Sequence, residues 1–307
     1  MARCLVIGGN GFLGSHVVDE LVVGGHEVTV FDRFSSPPTF ISSSVRRVRG
    51  DYLDTEALRS ALEGQELLFH LLSTTTPVTA DADPTLDVRT NVAQGVELLS
   101  LAVAAGIHRV YFASTGGAIY GDQPIDSVPE TALPLPVSPY AIGKLALEGY
   151  LRYFERKHGL KSVTFRISNP YGPRQHAGKK QGVIPIFLHH IARGEPVEVF
   201  GGTSMVRDYL FAPDVARMMV AVVDVEPAHD LYNIGSGHGA SLEELISLAR
   251  RITGRTVEVV TLPRPATFVQ RSVLDTSRYR AEFGGARLVS LDEGMALTWA
   301  STLEESR

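Results

Sequence analysis

Two periods of apolar and polar residues alternate along the first two-thirds of the chain. Short runs rich in β-branched and other apolar residues at 4–7, 27–31, 45–49, 67–71, 109–113 and 162–167 predict strands. Stretches with apolar positions three and four apart, at 12–23, 55–62, 87–105 and 140–158, predict helices between them. Such alternation builds a parallel sheet with helices on both faces, and strands covered on both faces read as nearly continuous apolar runs. The expected fold is α/β, a doubly wound parallel sheet of Rossmann type.

The pattern changes at Asn169-Pro170-Tyr171-Gly172-Pro173, a turn-rich break. Beyond it, a helix at 183–192, a strand at 197–200, helices at 213–223 and 241–253 and a strand at 256–260 read as a smaller α/β lobe. Ser241, followed three residues later by Glu244, is a capping box opening one of these helices. The expected division is a first domain over 1–170 and a C-terminal lobe over 171–307. The chain is expected to cross between them more than once.

Composition narrows the function classes. The 307 residues are 44% hydrophobic and 21% charged, so a large core needs no covalent staples. Lys and Arg total 29 against 34 Asp and Glu, a net charge of −5. That balance leaves no electrostatic footprint for nucleic acid and argues against broad attachment to an anionic membrane. No apolar run approaches the length of a membrane span, and the run before Gly8 is too short for a signal peptide, so the expected compartment is the cytoplasm. Cys4 is alone, which excludes an internal disulfide. His176, His189 and His190 do not suggest a metal: His189 and His190 are adjacent and face different ways on a helix, and no carboxylate stands at ligand spacing. Lys179-Lys180 read as a solvated loop.

The chemistry begins at Gly8-Gly9-Asn10-Gly11-Phe12-Leu13-Gly14, between the first strand and the first helix. Glycines at 8, 11 and 14 allow a tight turn and close approach to a pyrophosphate, and the helix N-terminus adds free N–H groups and a positive dipole end. The spacing is GxxGxxG, not the GxGxxG of the commonest dehydrogenases. Asp32, eighteen residues past Gly14, ends the second strand, where an acid accepts from a ribose 2′-hydroxyl and repels a 2′-phosphate. This points to NAD, although the adjacent Arg33 is of a type that holds phosphate. Asp51 follows the third strand, either as a contact to the adenine amino group or as a plain loop or capping residue.

Ser138-Pro139-Tyr140-Ala141-Ile142-Gly143-Lys144 places Tyr140 and Lys144 one helical turn apart on one face. A free tyrosine has a pKa of about 10, too high for a base at neutral pH. A close cation in a site shielded from water favours the phenolate.

The chain resembles the extended short-chain dehydrogenase/reductase family, in particular nucleotide-sugar epimerases of the UDP-glucose 4-epimerase type. The resemblance runs nearly end to end and rests on Gly8 to Gly14, Asp32, the run Ser114-Thr115-Gly116-Gly117-Ala118-Ile119-Tyr120-Gly121, Tyr140 with Lys144, the stretch from Arg166 to Pro173, and Arg207-Asp208-Tyr209-Leu210. It implies NAD contacts at Gly8, Gly11, Phe12, Leu13, Gly14, Asp32, Arg33, Asp51, Tyr52, Asn91 and Lys144. It implies that Tyr140 is the acid/base at the sugar C4 hydroxyl. Lys144 would bind the nicotinamide ribose and lower the tyrosine pKa. Thr115, with Ser114 in reserve, would supply a hydroxyl to the same sugar oxygen. For the nucleotide sugar, UDP-linked before others, it implies Asn169, Val199, Phe200 and Arg207, with Arg264 and Arg271 competing for a second diphosphate contact. Ser272 falls near a position that gates the C2 substituent, where a small residue leaves room for an N-acetyl group.

The activity so implied is an isomerase of polysaccharide precursor synthesis, an NAD-dependent nucleotide-sugar 4-epimerase working through a transient 4-keto sugar. Two rivals stand beside it: a dehydratase or reductase on the same scaffold, and a noncatalytic dinucleotide-binding sensor. Dehydrating relatives carry an Asp-Glu pair where this chain has Gly116 and Gly117, which disfavours the first; an intact Tyr140, Lys144 and Thr115 disfavours the second. The resemblance also implies a homodimer through the helices at 87–105 and 140–158. Apolar residues for it are Val92, Val96, Leu99 and Val103 on one helix and Leu147, Tyr150, Leu151 and Phe154 on the other.

Overall fold

A computed structural model describes residues 1–175, 182–285 and 287–305. His176 and Lys179-Lys180 lie outside the described residues. In chain order the first elements are β1 (Arg3–Ile7), α1 (Phe12–Val23), β2 (Glu27–Asp32), β3 (Arg46–Arg49), α2 (Thr55–Leu62), β4 (Leu67–His70), α3 (Pro77–Ala82) and α4 (Pro84–Asp87). A π-helical stretch over Val88–Ala93 leads into α5 (Gln94–Ala104), followed by β5 (Arg109–Thr115), α6 (Gly116–Ile119), α7 (Pro139–His158), β6 (Lys161–Ile167) and β7 (Asn169–Tyr171). Then come α8 (Val183–Arg193), β8 (Val197–Phe200), β9 (Val206–Phe211), α9 (Ala212–Val220), β10 (Leu231–Ile234), β11 (Gly239–Ser241) and α10 (Leu242–Thr253). The chain continues through β12 (Val259–Leu262), β13 (Arg271–Ser272), α11 (Ser277–Phe283) and α12 (Leu291–Glu305).

The chain forms two compact units. One comprises residues 1–115, 138–166 and 216–232; the other comprises 116–137, 167–215 and 233–307. A single division at residue 170 does not describe this arrangement. Residues 116–137 pack with the second unit, and residues 216–232 return to the first to reach the edge of its sheet.

The first unit is built on a seven-stranded parallel sheet in the order β10-β6-β5-β4-β1-β2-β3. Strand order reverses between β1 and β4, the switch point where doubly wound sheets open a crevice for a ligand. Apolar residues of β1, β4 and β5 pack with Leu98, Leu99 and Leu101 of α5 and Leu147, Leu151 and Phe154 of α7 into one core. The expectation of uniformly apolar strands fails at β3. It reads Arg46-Arg47-Val48-Arg49 and is largely exposed, because it is an edge strand with nothing beyond it in the sheet.

In the second unit, β9 is the hub. It pairs with β11, β13 and β7, and β8 pairs with β12 in a separate two-stranded sheet. The core is Tyr171, Ile184, Phe187, Leu188, Val197, Val199, Tyr209, Phe211, Leu245 and Ile246 with their neighbours. The capping box at Ser241 and Glu244 forms as the sequence predicts, and Gly254 closes α10 in the left-handed conformation. Among the described residues no helix is long and apolar enough to cross a membrane, and no cluster of His, Cys, Asp or Glu is arranged to hold a metal.

Candidate active site

In the first unit the glycine-rich turn sits at the switch point, at the end of β1. Gly8 has φ +81°, and its N–H bonds to Phe31 O at 3.0 Å. Gly11 caps α1 with no side-chain bond, so the first-turn amides, Phe12 and Leu13 among them, are left for an outside acceptor. Gly14 is required by space: a Cβ there would stand 2.2 Å from Gly8 O. The turn is therefore a cradle that side chains would fill, and it suits a pyrophosphate.

Asp32 ends β2, and its carboxylate accepts from Asn10 N at 3.1 Å and from Phe34 N at 3.3 Å. It is half-buried, and its free lone pairs suit a ribose hydroxyl. Arg33 is exposed. Asp51 is exposed and accepts from Leu53 N, which makes it a turn residue ahead of α2. Tyr52 was expected at the cofactor, but its ring is buried, stacked on His70 with its hydroxyl 3.4 Å from His70 Nε2. That leaves only its main chain for a ligand. Its carbonyl is also engaged, accepting from Gln94 Nε2.

Asn91 is buried and ties the loop after β4 to the helices that follow. Its Oδ1 accepts from Thr74 N and Thr74 Oγ1, each at 2.9 Å, and its Nδ2 donates to Thr75 Oγ1 and Asp87 Oδ1, each at 2.8 Å. Asp87 itself is buried and also accepts from Thr75 Oγ1. Its other oxygen lies against α7, where a Cβ on Gly143 would come within 2.3 Å of Asp87 Oδ2. A carboxylate is thus packed on the helix backbone between Tyr140 and Lys144.

Ser138 caps α7 by accepting from Ala141 N at 3.4 Å, and Pro139 opens it, so Tyr140 and Lys144 fall in its first two turns. Lys144 is buried; its Nζ donates to Ala113 O at 2.8 Å and stands 4.8 Å from the Phe112 ring centre and 5.9 Å from that of Tyr140. Burial lowers its pKa to about 8, opposed by the charges of Asp87 and Glu148. Burial, with Asp87 adding to it, pushes the Tyr140 phenol up to about 12. In the chain alone, then, burial outweighs the lysine, because Nζ is bonded to a carbonyl and not to the phenol. His70, fully enclosed by Tyr52 and Phe112 with Lys144 nearby, is held neutral, its pKa lowered to about 3 by burial first and then by that charge.

Ser114 and Thr115 separate cleanly. Ser114 Oγ donates to Glu148 Oε1 at 2.6 Å. Glu148 is also held by Arg166, through Nη2 to Oε2 at 2.7 Å and Nε to Oε1 at 3.2 Å, and all three are buried. Among the described residues the Thr115 hydroxyl makes no hydrogen bond, and Thr115 is half-buried at the last position of β5. Sequence reasoning did not single out Asp87, His70 or Glu148. Glu148 had a signal, standing four residues past Lys144 on the same helix face; Asp87 and His70 had none.

In the second unit, Asn169 Nδ2 donates to Asp208 O at 3.0 Å, and a Cβ on Gly117 would lie 3.3 Å from its Oδ1. Val199 is buried in the core, so only its main chain can meet a base, whereas Phe200 is partly exposed and contacts Phe268. Arg207 spends part of its guanidinium on carbonyls: Nη1 on Val206 O and Gln270 O, Nη2 on Val269 O at 2.5 Å. With five N–H groups the fork is not exhausted. Arg264 joins it there, bonding Gln270 Oε1 and Phe268 O. Arg271 points elsewhere, with Nε to Asp126 O at 3.2 Å and 3.6 Å from the Asp126 carboxylate. Asp208, fully buried, receives Ser236 N, Ser236 Oγ, Gly237 N and Leu274 N, and so binds the loops around β9. Ser272 is buried, 3.4 Å from Gly116 O.

Comparison with known proteins agrees with this geometry. Residues 4–235 match the model of the NAD dependent epimerase/dehydratase family. A UDP-glucose 4-epimerase of Mycolicibacterium smegmatis is 33% identical over 303 residues, spanning 96% of this chain and 97% of that protein. The solved UDP-glucose 4-epimerase of Thermotoga maritima with UDP-glucose superposes with a TM-score of 0.93 at 35% identity, covering 99% of this chain and 100% of that one. The Thermus thermophilus UDP-glucose 4-epimerase in complex with NAD gives 0.92 at 34%, covering 98% and 99%.

Proposed function

The chain belongs to the NAD dependent epimerase/dehydratase family, and from that premise we propose that it is an NAD-dependent nucleotide-sugar 4-epimerase of the UDP-glucose and UDP-N-acetylglucosamine type. The observation that carries this reading is Tyr140 over Lys144 on α7, with Thr115 left free at the end of β5 and no carboxylate in the two residues that follow it.

Gly8, Gly11 and Gly14 with the first amides of α1 hold the pyrophosphate, Asp32 the adenosine ribose and Lys144 the nicotinamide ribose. When bound there, an oxidised nicotinamide would supply reversible hydride chemistry at C4 and a positive charge in the site. Tyr140 takes the proton of the C4 hydroxyl and gives it back after the sugar has turned. Thr115 donates to the same oxygen. Bringing the Tyr140 phenol from about 12 to neutrality requires about 7 kcal/mol of interaction favouring the phenolate. Lys144 is the chain's own cation for that task, and Asp87 and Glu148 keep it charged. Arg207 and Arg264, with Asn169, grip the diphosphate, while Ser272 leaves space at C2.

The proposal extends to assembly as a homodimer. Leu99, Leu147, Leu151 and Phe154 are spent on the chain's own core, but Val88 on the π-helical stretch before α5 and Ile142, Tyr150 and Tyr153 on α7 remain exposed. Ala146 and Gly149 between them permit close helix approach.

Product NMR after incubation with UDP-glucose and UDP-N-acetylglucosamine in D₂O with NAD tests the activity. Galacto-configured products with no carbon-bound deuterium are expected, since the hydride returns without meeting solvent. A deoxy or unsaturated sugar would make the protein a dehydratase instead, and no turnover of any nucleotide sugar would favour a sensor.

A further inference from the structure

In the second unit Gln270, one residue before β13, is bonded to both arginines of the diphosphate grip. Its main chain and its side-chain amide are all engaged within that unit. The main-chain N–H donates to Asp122 Oδ1 at 2.7 Å. The main-chain oxygen accepts from Val206 N at 3.1 Å and from Arg207 Nη1 at 3.4 Å. In the side chain, Oε1 accepts from Arg264 Nη1 at 2.8 Å, and Nε2 donates to Ser204 O at 3.3 Å and to Ser204 Oγ at 3.4 Å.

The amide can sit only one way round. A guanidinium carries donors and no acceptor, so it must meet Oε1; the Ser204 carbonyl only accepts, so it must meet Nε2. Turning the amide over would set donor against donor and acceptor against acceptor. The side chain is therefore a fixed bracket between Ser204 and Arg264. Arg264 has two further fixings. Its Nη2 donates to Phe268 O at 2.8 Å. Its stem lies on Gly201, where a Cβ would stand 2.7 Å from Arg264 Cβ.

A bracket is needed because the two guanidinium groups repel. The pKa of Arg207 is held below its ordinary value by burial first; the charge of Arg264 adds to this, and the charges of Tyr209 and Asp122 oppose it. Arg264 is exposed, and an exposed arginine left to itself turns toward water, where rotamer freedom and distance from a like charge both favour it. Gln270 opposes that drift by offering one oxygen to each arginine from a single residue. Neither fork is used up, since each guanidinium carries five N–H groups, and planar forks suit the oxygens of a diphosphate. We propose that Gln270 is a positioning residue for the nucleotide sugar, holding the Arg264 guanidinium beside that of Arg207 so that both grip one diphosphate. Gln270 acts through Arg264 and touches no substrate in this role. The proposal rests on the reading of Arg207 and Arg264 given above.

The test measures UDP binding by isothermal titration and uridine binding by NMR titration, on the NAD-loaded full chain. The proteins compared are the parent, Arg264→Ala, Gln270→Met and the double variant. Gln270→Met keeps the length of the side chain and the main-chain bonds and removes only the amide. It is expected to raise the Kd for UDP about tenfold and to leave that for uridine, which has no diphosphate, within about twofold. In the Arg264→Ala background the same change is expected to alter the Kd for UDP by less than about twofold, because both residues act through one contact. The KM for UDP-glucose is expected to rise about tenfold with kcat held within about twofold. Unchanged UDP affinity in Gln270→Met, an equal loss of uridine affinity, or a loss that persists without Arg264 overturns the proposal and makes Gln270 a packing residue. Should Gln270→Met not fold, Gln270→Ala, which also keeps the main-chain bonds, gives the same readouts. A parent that does not bind UDP, or an Arg264→Ala change that leaves UDP affinity as it was, overturns the diphosphate reading and this proposal with it.

Discussion

At the scale of single residues, adjacency in sequence does not mean adjacency in chemistry. Ser114 and Thr115 are neighbours on a strand, whose pleat sends successive side chains to opposite faces. One is bonded to the buried Glu148–Arg166 pair and the other is free. Thr115→Val is expected to lower kcat by about 100-fold with less effect on KM. Ser114→Ala is expected to cost about 1–2 kcal/mol of stability by leaving Glu148 short of a donor, with kcat close to the parent. Steady-state kinetics beside denaturant unfolding separates the two, and a kcat loss confined to Ser114→Ala would reverse the assignment. His70 makes the chain acid-sensitive. Its pKa is about 3 when folded and about 6.5 when unfolded, so between those values the unfolded chain binds the extra proton. The His70 contribution is whole above pH 6.5 and is lost progressively as pH falls toward 3, about 2 kcal/mol at pH 5. His70→Phe, which keeps the stack with Tyr52 and Phe112, is expected to show that much less destabilisation between pH 7 and pH 5 in urea titrations. Equal acid sensitivity in both proteins would place the titrating group elsewhere. Tyr140 and Lys144 were legible because four residues on a helix is a fixed geometry. Asp87 and His70 were not, because their importance comes from burial beside that pair.

At the scale of elements, local signals did well where a backbone conformation demands a residue type. The turn from Gly8 to Gly14 and the capping box of α10 both form where the sequence puts them. Gly14 allows a quantitative check. Alanine inside a helix is worth about 1 kcal/mol over glycine, yet here its Cβ would meet Gly8 O at 2.2 Å. Overpacking against backbone costs about 1–3 kcal/mol, so the clash wins. Gly14→Ala is expected to purify with less bound dinucleotide and a lower Tm, measured by nucleotide release and calorimetry; a Tm above the parent would mean the turn relaxes freely. The segment 87–105, predicted as one helix, is instead α4, a π-helical stretch and α5. Asn91 lies within the π-helical stretch and bonds Thr74 and Thr75, tertiary contacts that periodicity does not carry. The strands β7, β9, β10, β11 and β13 were missed; all but β9 are four residues or shorter, too short to show a period.

At the scale of the whole molecule, the prediction concerns assembly. Ile142→Asp together with Tyr153→Asp is expected to convert the proposed dimer to monomer, read by sedimentation velocity, because exposed apolar side chains on α7 would be replaced by like charges facing each other. A parent that sediments as a monomer would remove the proposal. The division of the chain into units was only partly readable. Turn-rich residues 169–173 mark one passage, but residues 216–232 return to the first sheet without any compositional change. Taken alone, the amino-acid sequence determined the sheet class, the glycine-rich turn, Asp32 and the Tyr140–Lys144 pair, because each is a local pattern whose geometry is set by strand, turn or helix periodicity. Tertiary structure alone decided which hydroxyl at the end of β5 is free, that Tyr52 faces the core, that Asp87 and Glu148 flank the lysine, and that Arg207 and Arg264 converge while Arg271 does not. These depend on contacts between residues far apart in sequence, where burial and hydrogen-bond partners are supplied by other segments.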